Sequence, residues 1–259
     1  MKKRPSKKLI AVGILIIIFL CLCFYLPQNY YPPILMYHNI DAELAKTNTI
    51  AVSEEIFEKQ MAFIAKRNYK VVRLEELCRM IKQGQRLPPN ILAITFDDGY
   101  KDNLKAVKIL AKYNFPATIF IVMDWIDKPG YLTRSDLSWI KNNSSVFFGS
   151  HTVSHSYLPN LLLGDLKYEI RDSKSMAKKK YGLDLSAIAY PVGGFTHQVS
   201  QEVESAGYLC ACSTNRGFFK QPDIYALRRI KMTGRDLGIR LWGKFSGFYT
   251  LFKKLKPPY

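Results

Sequence analysis

Ile91-Leu92-Ala93-Ile94-Thr95-Phe96 runs straight into Asp97-Asp98-Gly99-Tyr100. A nearly continuous apolar run of this length predicts a strand buried on both faces, as in a parallel sheet covered by helices. The flanking sequence repeats the theme. Short apolar runs at 34–37, 69–72, 117–122, 146–149, 187–190, 208–213 and 225–230 read as further strands. Between them lie helical stripes: Ile56, Phe57, Met61 and Ile64 after Ser53; 75–82; Leu104, Val107 and Leu110; 135–142; 166–180; and Val199 with Val203. About eight β segments alternating with helices predict a parallel α/β fold.

Polar residues gather where these strands end. Besides Asp97-Asp98, the runs lead into His38, Ser150-His151 and Tyr190-Pro191. In a β/α barrel the C-terminal rim collects its active site from several strands, so these positions predict one convergent site. Adjacent residues at a strand end point opposite ways, which gives Asp97 and Asp98 separate tasks, one binding a cation and one handling a proton. Taken alone, Asp-Asp-Gly also suits a simple turn. His151 and His155 are four apart. On a helical turn both imidazoles would share a face, and with a carboxylate they make a three-ligand site suited to zinc or another divalent metal.

The 259 residues carry 38 Lys and Arg against 21 Asp and Glu, a net +17, with 48% apolar residues, 15 Gly and 13 Pro. Collagen, disorder and low-complexity arrays are excluded. Lys2, Lys3, Arg4, Lys7 and Lys8 precede an uncharged run of 18 residues, Leu9 to Leu26, closed by Pro27. That length favours a transmembrane signal anchor over a cleaved peptide, with the N-terminus cytoplasmic and the body outside. Removing those five cations leaves +12, since residues 1–26 hold no acid. A basic body outside the cell suits an anionic envelope, and no nucleic-acid-binding pattern is present. The five cysteines show no metal-like pairing, and Cys210 and Cys212 are too close along a strand to bridge each other, so all five read as small buried hydrophobes.

Thr95–Tyr100 and Ser150-His151-Thr152-Val153-Ser154-His155-Ser156 resemble the first two signatures of the polysaccharide deacetylase family, also called the NodB-homology family or carbohydrate esterase family 4. Ala189-Tyr190-Pro191-Val192-Gly193-Gly194 resembles the third, and Leu35-Met36-Tyr37-His38-Asn39-Ile40 the opening strand of one extracellular branch. The resemblance implies a distorted (β/α) barrel. It also implies Asp97 as general base, Asp98, His151 and His155 as ligands of a divalent metal, zinc first, and Tyr190 as backbone donor to the oxyanion. Pro191, Gly193 and, beyond strand 117–122, Trp125 are the candidates for shaping the substrate groove.

Two departures stand out. The arginine that many relatives place before the third-motif proline is missing from Ser186–Tyr190, so what holds Asp97 stays open. No histidine follows His197, so the family's late histidine acid is absent as well. Biofilm poly-N-acetylglucosamine deacetylases resemble a rearranged form in which that strand opens the domain, and His38 fits the acid there.

The expected organisation is an anchor at 1–27, a deacetylase domain at 28–239 and a basic aromatic tail at 240–259. The expected activity is removal of N-acetyl groups from N-acetylglucosamine in an extracellular or cell-wall polysaccharide: poly-N-acetylglucosamine first, peptidoglycan second and chitin oligomers third. O-deacetylation, or a non-catalytic carbohydrate-binding role, is the alternative. No protein partner is deducible.

Overall fold

The computed structural model describes residues 13, 14, 16, 17, 32–214, 223–245, 256 and 257. The chain divides into residues 1–31 and 32–259. Of the first unit only Gly13, Ile14, Ile16 and Ile17 are described, and they are helical. The rest of the expected anchor lies outside the described residues, among which no helix is long and apolar enough to cross a membrane.

The second unit is a parallel sheet with helices packed against it. Its strands are β1 (Ile34–Tyr37), β2 (Lys70–Val71), β3 (Ile91–Phe96), β4 (Ala117–Ile121), β5 (Val146–Ser150), β6 (Ala187–Ala189), β7 (Cys210–Cys212) and β8 (Ile230–Lys231). They run in the order β7-β6-β5-β4-β3-β1-β8, with β2 beside the start of β3. Among the described residues every pairing between these strands is parallel, as the almost wholly apolar β3 favours.

The chain before β8 ties the sheet's two edges together. Leu227 is bridged to Cys212 on β7, whereas Ile230, three residues later, pairs with Leu35 on β1. The expected distorted barrel is thus a curled half-barrel spanned by one irregular segment. A regular strand was expected over 225–230, but only Ile230–Lys231 is one, because this stretch leaves β7 to reach β1.

Strand alternation sorts the side chains. Leu35 and Tyr37 of β1 and Ile94 and Phe96 of β3 face the helices and join the main core. There the Tyr37 ring stacks on Phe96 at 5.4 Å and meets Phe57 edge-on at 5.0 Å. Thr95 and Asp97 alternate with that set and face the interior of the curl. In the β1–β3 register Tyr37 stands opposite Phe96, so His38 and Asp97 leave the sheet side by side.

The helices start and stop on local signals. Ser53 caps α1 (Glu54–Lys66) by accepting from the Ile56 amide, as its position in the sequence predicts. Helices follow at α2 (Leu74–Lys82), α3 (Asn103–Lys112) and α4 (Arg134–Asn143). The helix expected over 166–180 is α5 (Leu163–Lys167), a π turn (Tyr168–Asp172) and α6 (Ser173–Tyr181) in succession, ended by Gly182 at φ 65°. After α7 (His197–Ser205), α8 (Gly238–Phe245) crosses the expected start of the tail at 240. It buries Leu241 and Phe245, the latter against Phe63 and Tyr69. Residues 246–255, with the remaining tail aromatics, lie outside the described residues.

Two of the cysteines are not the small buried hydrophobes expected. Cys78 of α2 and Cys210 of β7 form a disulfide across Cα atoms 6.4 Å apart, and among the described residues Cys212 is the free, buried cysteine. Cys21 and Cys23 are not described. Sequence reasoning weighed only the near pair. The real partners are 132 residues apart and are joined where α2, which packs on β3, reaches β7. The bond suits an oxidising compartment. Replacing both Cys78 and Cys210 by Ala should lower stability in urea by about 2–5 kcal/mol, the range for closing a long loop. An unchanged unfolding midpoint would show that the bond contributes nothing.

Candidate active site

Each rim residue is set by the strand that precedes it. The Asp97 amide donates to the Tyr37 carbonyl at 2.9 Å, extending the β1–β3 ladder by one residue. Asp98 then turns at φ 72° and Gly99 at φ 70°. A Cβ on Gly99 would stand 3.0 Å from the Ile121 side chain, so glycine there allows both the turn and the close approach.

His151 and His155 do not sit on a helical turn. They flank an irregular loop in which Thr152 (φ 70°) and His155 (φ 66°) are left-handed, and this loop brings the rings to 4.9 Å. Nε2 of each lies 3.4 Å from Asp98 Oδ1. Donor atoms of Asp98, His151 and His155 all fall within 4.8 Å of one another. His151 Nδ1 lies 2.8 Å from the Ala189 carbonyl, which fixes the proton there and leaves the Nε2 lone pair facing Asp98.

These residues fit a divalent cation. Asp98 Oδ1 is buried without a hydrogen-bond partner, a costly condition that a metal relieves. Burial and the adjacent Asp97 charge push the Asp98 carboxyl up to about 6. Burial pushes His151 down to about 4 and lowers His155, favouring the neutral rings that ligation needs.

The group that holds Asp97 is Arg229, which the sequence reading missed. Arg229 precedes β8, in the segment that spans the sheet edges. Its Nη1 and Nη2 donate to Asp97 Oδ1 and Oδ2 at 2.6 and 2.7 Å, a bidentate pair with the guanidinium side chain fully buried. Nη1 also donates to Thr95 Oγ1 at 3.2 Å, and Nε to the Ser213 carbonyl at 2.9 Å. Burial alone would raise the Asp97 carboxyl. The Arg229 charge, aided by His151 and His38, holds it well below the ordinary carboxylate range. A buried anion at 97 requires a cation, but nothing local in the sequence says that residue 229 supplies it.

His38 lies where β1 predicts. Its Nε2 is 3.9 Å from Asp97 Oδ2 and its side chain is 17% exposed, so it reaches both the carboxylate and solvent. Asn103 at the start of α3 holds the His38 carbonyl at 2.8 Å.

The third motif departs from expectation at Tyr190. Its amide is committed to the Cys212 carbonyl at 2.9 Å and its hydroxyl to the Tyr225 carbonyl at 2.8 Å, so neither can serve an oxyanion. Pro191 has no N–H. The next amide, at Val192, sits on a φ 59° turn with an exposed side chain. Gly193 (φ 75°) is required by packing, because a Cβ there would lie 2.5 Å from Thr214 Oγ1. Trp125 is half-buried, stacks on His155 at 5.0 Å and touches Tyr131 at 4.9 Å, extending an aromatic wall from the metal-ligand set.

Comparison with known proteins agrees with this arrangement. The polysaccharide deacetylase family model matches residues 84–211, which include all three candidate ligands and Asp97. YxkH of Bacillus subtilis (strain 168), named for the same family, is 30% identical over 203 residues, covering 78% of this chain and 71% of that one. The poly-beta-1,6-N-acetyl-D-glucosamine N-deacetylase of Escherichia coli (strain K12) is 26% identical over 132 residues, 51% of this chain but only 18% of that enzyme. The Streptococcus pyogenes deacetylase PplD, solved with acetate, superposes with a TM-score of 0.76 at 26% identity, over 83% of this chain and 97% of that one. The chain belongs to the polysaccharide deacetylase family.

Proposed function

We propose that the protein is a metal-dependent N-deacetylase acting on N-acetylglucosamine residues of an extracellular or cell-wall polymer, with poly-N-acetylglucosamine the first candidate. One observation carries the reading: a ligand set of Asp98, His151 and His155 lies beside Asp97, a carboxylate locked in its charged form by Arg229, with His38 3.9 Å away. When bound, a divalent metal, zinc first, supplies Lewis-acid activation of water and of the acetyl carbonyl. Asp97 accepts the proton of the attacking water, and Arg229 keeps it available as an acceptor. His38 gives a proton to the departing amine nitrogen. The Val192 amide takes the donor role first assigned to Tyr190, for the charge that develops on the acetyl oxygen. Trp125 and Tyr131 offer apolar faces to a sugar ring.

An amide substrate is favoured over an ester because a histidine is held within reach of the base, and amine departure needs an acid. The preference for poly-N-acetylglucosamine draws support from the stretch shared with the Escherichia coli enzyme and from the His38-bearing first strand. The charged N-terminus and the apolar run after it support attachment to the cell membrane with the domain outside, and the basic body suits an anionic envelope. Incubation with poly-N-acetylglucosamine, peptidoglycan and an acetylated ester polymer, reading acetate and new primary amines separately, tests the assignment. Acetate without amines would make the protein an esterase, and no acetate from poly-N-acetylglucosamine or peptidoglycan would overturn the assignment of those polymers as substrates.

Three expectations follow from the geometry. His151→Ala or His155→Ala should abolish stoichiometric zinc binding while circular dichroism stays native, and full binding in both variants would refute the ligand set. Asp97→Asn should lower turnover about 10²-fold or more with metal retained, the usual worth of a positioned base. His38→Ala should slow amide cleavage by about 10²–10⁴-fold but an activated acetate ester much less, since an alkoxide leaves without acid help more readily than an amine. Equal losses on both substrates, with a lower melting temperature, would make His38 structural.

A further inference from the structure

The histidine loop holds itself in an unusual shape. Residues 151–155 form neither helix nor strand, and two of them, Thr152 and His155, occupy the left-handed region that L side chains avoid. Such a loop persists only when its surroundings dictate it. Its amides account for how. His151 donates to the Ile121 carbonyl at 2.8 Å, Thr152 to Ser150 Oγ at 3.1 Å and His155 to Thr152 Oγ1 at 3.1 Å. The remaining two, Val153 and Ser154, both donate to Glu169 Oε2 at 2.9 Å. The Ser154 hydroxyl donates to the other oxygen, Glu169 Oε1.

Glu169 comes from the π turn (Tyr168–Asp172) and is buried, 4% exposed. One carboxylate therefore takes both inner amides and a hydroxyl of the segment joining the two candidate ligands. The same turn grips the loop's entrance. The Ile170 carbonyl accepts from Ser173 Oγ at 2.8 Å and from Tyr208 Oη at 3.1 Å, while Ser150 Oγ donates to Ser173 Oγ at 2.9 Å. π turns inside α-helices frequently mark functional sites, and this one has a physical task.

We infer that Glu169 is a positioning residue for metal binding: its carboxylate clamps Val153 and Ser154 so that His151 and His155 converge on Asp98. The inference rests on the metal reading above and assigns Glu169 no contact with metal or substrate. Its loss acts through loop geometry, because imidazoles that must reorganise before ligation bind more weakly.

Zinc affinity of the full chain, stripped of metal and titrated against a competing chelator, tests the clamp together with the cobalt(II) absorption spectrum. Glu169→Ala should weaken zinc about 10–100-fold, the usual effect of losing an outer partner of a metal ligand, and should alter the cobalt spectrum. Glu169→Gln keeps a carbonyl oxygen for the two amides and should restore most of the affinity. Leu166→Ala, a cavity in the preceding α5, should lower the melting temperature and leave zinc affinity unchanged. Wild-type affinity in Glu169→Ala, or an equal loss in Leu166→Ala, would overturn the clamp. A wild-type chain that binds no zinc would overturn the metal reading itself, and the clamp with it. If Glu169→Ala does not fold, hydrogen exchange in the metal-free wild type decides: slow exchange of the Val153 and Ser154 amides supports the clamp, and exchange as fast as an open loop overturns it.

Discussion

Everything at the rim is organised around the buried ion pair of Asp97 and Arg229. Both side chains are buried, and removing one partner of such a pair leaves an uncompensated charge at a cost of about 3–5 kcal/mol. With both in place the interior holds one balanced anion. The adjacent Asp98 is then a second carboxylate with no cation of its own, its Oδ1 unpartnered and its carboxyl pushed up by the first. The site is thus electrostatically incomplete at one point, between Asp98 and two neutral imidazoles. A divalent ion would complete the pattern.

Much of the scaffold was legible because burial leaves a strong trace in a parallel sheet. The Ile91–Phe96 run could be nothing but a two-sided buried strand, and its carboxylates fell at its end as expected. Local signals also sufficed for the Ser53 cap and the Gly182 stop. The histidine pair was found by residue type and spacing and Asp98 as its partner by the family resemblance, although the helical-turn geometry supposed for the histidines was wrong. A four-residue spacing fits a helix and an irregular loop equally well, and the choice depended on Glu169, which no periodicity points to.

Arg229, the Cys78–Cys210 bond and the Tyr190 amide were illegible for a common reason. Each depends on which elements become neighbours. The sequence places an arginine before a short apolar run, but only the path from the β7 edge to β1 carries it over Asp97. The departure at the third motif was therefore real, and the charge it omits arrives from elsewhere in the sheet. Tyr190 was similarly decided by its neighbour: with β7 alongside, its N–H continues the ladder to Cys212 and is no longer free.

The segment spanning both sheet edges has a consequence for folding kinetics. Asp97 and Arg229 are separated by 132 residues, as are the two cysteines, so both links close very long loops. Contacts of such sequence separation form late, since the chain must first give up the entropy of closing the loop. Until Arg229 arrives, the Asp97 carboxylate has no buried cation to pair with and favours staying hydrated. The half-barrel's interior is therefore expected to dry late in folding, with chemical competence following the docking of this segment.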